Sequence, residues 1–239
     1  SGTVLILFAY LSDKEKFFAF LKDKSSYISL ILFAFLGLLL TQLTYLIAIA
    51  ETNAGTATVL QYVCPVGVLA YTCIKDRVGP TVSEIASMLL AIGGTFLIAT
   101  HGQLNQLAIT PKGLGWGLFS AFAYALYIIL PLNLIKKWGS MPVIGVGMLL
   151  PGILMVPFSG LVSFQGHYSS DNLLALFGLI VLGTIFAYTV FLKGTSMVGA
   201  VKGSLLASIE PISAVFFAYM IMNDQFYAID FIGMGMILL

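Results

Sequence analysis

Charge is what this chain has least of. Lys, Arg, Asp and Glu make up 9% of its 239 residues, where a soluble domain carries about a quarter. So little charge cannot cover a water-exposed surface. With 59% hydrophobic residues and a mean hydropathy of +1.03, only a lipid bilayer accounts for the composition. Cysteine and histidine are also scarce, two of each. Cys64 and Cys73 fall on one predicted helix, roughly 13 to 14 Å apart along its axis, beyond the reach of about 7 Å for a disulfide, and read as buried thiols. His101 and His167 lie in separate outer gaps without metal-ligand spacing, so no metal site is expected and neither takes a catalytic role. No H-E-x-x-H, Gly-x-Ser-x-Gly or phosphate-cradling glycine loop is present, which leaves no catalytic residue to assign, no cofactor, and no direct use of ATP. A net charge of +1 without a concentrated basic face also argues against a nucleic-acid partner.

What charge there is follows a rule. Of the 11 Lys and Arg residues, all but Lys112 fall in alternate gaps between long apolar runs: Lys14, Lys16, Lys22 and Lys24, then Lys75 and Arg77, then Lys136 and Lys137, then Lys193 and Lys202. Cytoplasmic loops of membrane proteins carry this excess, so loops at 12–26, 75–80, 136–140 and 193–202 are expected to be cytoplasmic in a multi-pass protein of the cell membrane. Runs of about 20 apolar residues can cross a bilayer as helices, and those at 27–50, 54–74, 81–100, 113–135, 141–162, 172–192 and 203–222 qualify. Partial spans occupy 1–11 and 226–239. The chain opens on an apolar stretch without a basic leader, so no signal peptide is read, and both ends look cut.

Shifting the chain by 146 residues aligns Leu36-Gly37 with Leu182-Gly183, Leu46 with Leu192, Ala54 with Ala200, Leu60 with Leu206, Pro65 with Pro211 and Met88 with Met234. A common offset with matching hydropathy predicts an internal duplication. The span at 27–50 starts at a basic gap, whereas its partner at 172–192 ends at one, so the copies are expected to run antiparallel. Repeats with an odd number of helices produce that inversion, as in many secondary transporters.

The segments "GTATVLQYVCPVGVLAY" at 55–71, "SMLLAIGGTFLIAT" at 87–100, "GLGWGLFSAFAYALY" at 113–127 and "GSLLASIEPISAVFFAY" at 203–219, with the Glu210-Pro211 pair most recognisable, resemble the EamA family of the drug/metabolite transporter superfamily. The resemblance covers essentially the whole chain. It implies an all-α membrane protein of two inverted-topology five-helix repeats, a ten-helix bundle. Residues 1–100 would match the first repeat and 113–239 the second, with the first helix and parts of the second and last lying outside the chain. It also implies a small-molecule substrate such as an amino acid, a metabolite or a drug-like compound.

Within that frame, Pro65 and Pro211 lie roughly 15 Å deep, near the bilayer centre. Each frees the carbonyl four residues earlier, at Gln61 and Ala207. Those carbonyls are candidates for binding or bending; the alternative is a static kink. Glu210 is the one acidic group deep in a span. It is expected to face a cavity and contact substrate, with proton coupling as the other candidate role, or else to be a neutral carboxyl bonded within the bundle. Trp116, Ser120, Tyr124 and Tyr127 form one helical stripe that could line a pocket or simply pack. Gln42, Tyr45, Gln61 and Tyr62 in the first copy, and Tyr188, Ser204 and Ser208 in the second, need partners in hydrocarbon and complete the candidate substrate cavity. Glu84 and Asp230, in the first turns of their helices, are read as dipole-favoured carboxylates that reach the interface. Lys193 and Lys202 bracket a short loop, where they set topology or attract an anion. The leading expectation is a secondary transporter working by alternating access. The alternatives are a non-transporting membrane scaffold or accessory subunit and, more remotely, an intramembrane enzyme.

Overall fold

The structure is a computed structural model that describes residues 1–103, 110–158, 169–217, 220 and 227–239; His167 lies outside this set. All regular elements among the described residues are helical. In order they are α1 (Gly2–Ser12), α2 (Lys14–Lys22), α3 (Lys24–Leu32), a π-helical segment (Phe33–Leu39), α4 (Leu40–Glu51), α5 (Ala54–Gln61), α6 (Cys64–Asp76), α7 (Val82–Thr100), α8 (Pro111–Ile129) and α9 (Leu132–Trp138). Then follow α10 (Ser140–Met155), α11 (Ser170–Ile180), a second π-helical segment (Val181–Phe186), α12 (Ala187–Val198), α13 (Ala200–Ala207), α14 (Ile209–Phe217) and α15 (Ala228–Leu238). Backbone polar groups in hydrocarbon must be paired within their own segment, which is why apolar runs of this length become helices. Five continuous stretches are long and apolar enough to cross a membrane: Lys24–Glu51, Ala54–Asp76, Val82–Thr100, Pro111–Trp138 and Leu173–Val198. The expected spans at 141–162 and 203–222 run into residues outside the described set.

The same element pattern occurs twice. Helices α5 and α13 begin and end 146 residues apart, α3 and α11 begin 146 apart, and so do α7 and α15. Both π-helical segments contain the Leu-Gly pair that the offset aligned, Leu36-Gly37 and Leu182-Gly183.

By contacts the chain forms two compact units, Ser1–Leu39 with Ile129–Val198 and Leu40–Ile128 with Gly199–Leu239. Each draws helices from both sequence halves. In the first unit α1 packs on α10 where a Cβ on Gly2 would come 2.7 Å from the Gly145 carbonyl, and one on Gly145 would meet Leu5 and Ile6. In the second unit α7 packs on α15 more closely still. A Cβ on Gly94 would lie 2.5 Å from the Gly233 carbonyl, and Gly93 faces Met236. As α7 advances from Gly93 to Ile98 and its cap His101, its partners on α15 retreat from Met236 to Gly233 and Asp230, so these two helices run antiparallel. Without a hydrophobic drive between helices in lipid, such backbone approach gives the van der Waals contact that holds them.

Farther along the same seam, His101 ends α7 with a left-handed φ of 49°. Its Nδ1 lies 2.8 Å from Oδ1 of Asp230, while Oδ2 accepts the Tyr227 N–H at 2.9 Å. Asp230 is fully buried. The expectation that it reaches the interface is corrected: it does cap α15, but the glycine seam brings the end of α7 over it and supplies a partner. Glu84 behaves as read, exchanging hydrogen bonds with Thr81 in a capping box.

The basic gap at 12–26 is a helix, not the expected loop. Phe17 and Phe20, one turn apart, are buried on one side of α2, giving the gap a packing face that its lysines obscured. Asp13 caps α2 through the Lys16 N–H at 2.9 Å, and Asp23 caps α3 through the Ser25 N–H at 3.2 Å. Asp23 also accepts from Lys137 Nζ at 2.6 Å. That bond, with those from Ser25 and Ser26, holds its carboxyl well below the usual carboxylate range. The small stabilisation of this exposed pair is therefore complete above the unfolded-state value and fades only as pH falls toward the depressed one. The gap at 193–202 closes to one residue, Gly199, at φ 94° between α12 and α13. Of the two thiols, Cys64 is buried and Cys73 only half-buried.

Gly94→Ala is expected to lower stability in detergent by about 1–3 kcal/mol, since a backbone carbonyl must move to admit the methyl. Gly235→Ala, on the same α15 but with open space around it, is expected to be neutral. Asp230→Ala is expected to cost about 1–3 kcal/mol and Asp230→Asn less, because an amide oxygen still accepts the Tyr227 N–H. Chemical unfolding monitored by circular dichroism measures all four.

Candidate functional site

Both aligned prolines sit just past an interruption of their span. Proline lacks an N–H and cannot close the bond to the carbonyl four residues back, but it fits the first turn of a helix. Helix α5 accordingly stops at Gln61, the chain turns through Tyr62 and Val63, and α6 restarts at Cys64 with Pro65 in its first turn. Helix α13 stops at Ala207, Ser208 forms the turn, and α14 restarts at Ile209 two residues before Pro211.

Tyr62 joins the two interruptions. Its ring is buried, at 3% exposure, and its hydroxyl lies 3.0 Å from the Ala207 carbonyl oxygen and 2.7 Å from Oε2 of Glu210. One of the two carbonyls singled out from the prolines thus meets a residue singled out independently in the other copy. Glu210 itself is exposed, while Pro211 is buried against the protein.

Around this pair the second unit gathers several other candidates. Tyr45 reaches Thr58 Oγ1 at 2.8 Å, and Thr58 in turn donates to the Ala54 carbonyl at 2.7 Å, so the tyrosine is the donor in the first bond. Tyr45 lies within electrostatic range of Glu210, as Tyr124 does of Tyr62. On α8, Tyr124 and Tyr127 stack with ring centres 5.6 Å apart, and Trp116 packs on Phe119, outside the stripe, at 6.1 Å. Ser120 and Ser208 are buried, and their hydroxyls have no partner among the described residues.

The remaining candidates are placed differently. Ser204 is buried but donates to the Val201 carbonyl at 2.8 Å, so its own helix satisfies it. Gln61 is half-buried and Gln42 exposed. Tyr188, on α12, belongs to the other compact unit. His101 and Asp230 are the pair that sequence reasoning missed, because 129 residues separate them and neither shows helical spacing to the other. Among the described residues no three His, Cys, Asp or Glu side chains converge as metal ligands would. What the arrangement offers is a carboxylate, a phenol and hydroxyl groups close to two helix interruptions.

Comparison with known proteins agrees with the fold and the composition. A solved structure titled "Crystal structure of protein" superposes with a TM-score of 0.76 over 99% of this chain and 80% of its own, at 14% identity, a likeness of fold. The "Uncharacterized inner membrane transporter YicL" of Salmonella typhimurium is 34% identical over 238 residues, covering 100% of this chain and 79% of that protein. The "Uncharacterized transporter YcbK" of Bacillus subtilis is 23% identical over 82% of this chain and 65% of its own length. Residues 1–100 and 111–239 match the EamA-like transporter family. With that match across both stretches, the chain is a multi-pass membrane protein that belongs to the EamA-like transporter family.

Proposed function

We propose that this chain is a secondary transporter that moves a small organic solute, an amino acid, metabolite or drug-like compound, across the cytoplasmic membrane by alternating access. In this reading the two sequence halves are inverted repeats, with the basic segments at 12–26, 75–80, 136–140 and 193–202 facing the cytoplasm. Support for the inversion comes from α7 and α15, which occupy equivalent places in the 146-residue offset and pack antiparallel.

The observation that carries the functional reading is the Tyr62 bridge between two interrupted spans. Interrupted helices at the membrane midplane are where transporters expose backbone to a solute. A hydroxyl carries one proton. When Glu210 is ionised, Tyr62 donates to the carboxylate and the Ala207 carbonyl is left unpaired. When Glu210 holds a proton, it donates to the Tyr62 oxygen, Tyr62 donates to Ala207, and every group is satisfied. Protonation of Glu210 is thereby linked to the interruption in α13–α14, which makes a proton the coupling ion and Glu210 its carrier. Substrate carrying a hydroxyl or amine displaces the same bonds.

In liposomes with an imposed pH gradient, Glu210→Gln is expected to abolish the response of flux to the gradient, because an amide donates to Tyr62 at every pH. Tyr62→Phe is expected to slow transport about tenfold, the loss of one buried hydrogen bond to a charged or carbonyl partner. Unchanged rate and pH dependence in Glu210→Gln removes Glu210 from the mechanism.

Orientation has its own test. In a chain with Cys64 and Cys73 replaced by Ala, Lys22→Cys is expected to react with an impermeant maleimide only from the cytoplasmic side and Lys112→Cys only from outside. Labelling of both from one side overturns the inverted arrangement.

A further inference from the structure

Within the first compact unit, a cavity of about 500 Å³ lies where several helices end. Lys16 of α2, Lys136 of α9 and Lys193 of α12 all line it, three cations from three separate elements. Their neighbours are engaged elsewhere: Lys14 sits 5.1 Å over the Tyr10 ring, and Lys137 is paired with Asp23. The three lining lysines have no carboxylate partner, since the ion pairs among the described residues are Lys137–Asp23 and His101–Asp230. Asp13, the one acid in the lining, is already accepting the Lys16 backbone N–H at the start of α2.

Two further features complete an anion site. The 16-residue helix α10 begins in the cavity wall, at Gly139 and Ser140, with no side-chain cap. Its free N–H groups and the positive end of its dipole therefore face the same space as the lysines. Ser140, the first residue of that helix, is 6% exposed and lines the cavity. Cations, helix start and hydroxyl together match the oxygens of a phosphate group.

The surroundings say how that phosphate is presented. Trp138 and Lys193 lie at or near the ends of the spans Pro111–Trp138 and Leu173–Val198, which puts the cavity at the membrane–water boundary on the basic side. Its rim includes Met141 and Met197, exposed at 40% and 78%, an apolar ledge next to the charges. A headgroup in the cavity with acyl chains over the methionines satisfies both. The geometry points to a binding site for the phosphate of an anionic phospholipid, held by Lys16, Lys136, Lys193 and the start of α10. Basic pockets between spanning helices on the cytoplasmic side take such headgroups. The site is separate from the Tyr62–Glu210 pair and does not depend on the transport reading.

The test is native mass spectrometry of the full chain released from nanodiscs holding equal amounts of phosphatidylglycerol and phosphatidylcholine. One phosphatidylglycerol retained per chain, in preference to phosphatidylcholine, is the expected result. Lys16→Gln/Lys136→Gln/Lys193→Gln is expected to weaken retention about a hundredfold, at roughly fivefold per lysine. The charge-matched Lys22→Gln/Lys24→Gln/Lys75→Gln control is expected to stay within about fivefold of the unsubstituted chain, as a diffuse surface effect. Inorganic phosphate that competes the lipid away identifies the headgroup phosphate as the recognised group. Phosphate that raises the melting temperature through the same lysines, with no lipid retained, keeps the site and assigns it to a soluble anion. Equal retention of both lipids with no response to phosphate, or equal losses in the pocket and control variants, overturns the proposal. The lipid preference of the unsubstituted chain is read independently of how the variants fold.

Discussion

A carbonyl released in the middle of a spanning helix has no water to turn to, and each such group left unpaired in hydrocarbon costs several kcal/mol. Two spans here accept that problem, because Pro65 and Pro211 cannot close the bond to the preceding turn. The chain answers at Ala207 with a phenol from the other interrupted span, Tyr62. A repair made from another span ties the two interruptions together, and a group that competes for the phenol's single proton competes for the repair. Glu210 is placed to do so. The chemistry at this site follows from the geometry of a broken helix more than from any strongly reactive side chain.

The glycine seams have a regularity of their own. Helices α7 and α15 begin 146 residues apart and touch backbone to backbone at Gly94 and Gly233. In the other unit α1 packs on α10 through Gly2 and Gly145, and the residue 146 positions after Gly2 lies within α10. In both units, helices related by the 146-residue offset pack on each other.

How much of this was legible beforehand depends on the range of each interaction. Spans, the carbonyl freed by Pro65 and the place of Glu84 in the first turn of its helix rest on residues within a few positions of one another, and local spacing reveals them; that α6 restarts at Cys64 and that Thr81 closes the cap on Glu84 did not follow from it. The stripe from Trp116 to Tyr127 was visible for the same reason. The His101–Asp230 pair was not, because its partners come together only through the packing of α7 on α15. The basic gaps mark topology, and at Lys193 an anion as well; that Lys16, Lys136 and Lys193 converge on one cavity, while Lys137 turns away to Asp23, is decided by tertiary structure. Ser204 shows what spacing alone does not reveal: a buried serine in a helix can donate to the turn before, as it does to Val201. The π-helical segments left no sequence signal beyond the paired Leu-Gly positions.

Any protein that carries solutes through a membrane must also keep the ion gradients on either side from discharging through it. Close joints between spanning helices serve that end. At Gly94 a methyl group would already strike the Gly233 carbonyl of α15. How near the two helices come there is set by two hydrogens where other residues carry a Cβ.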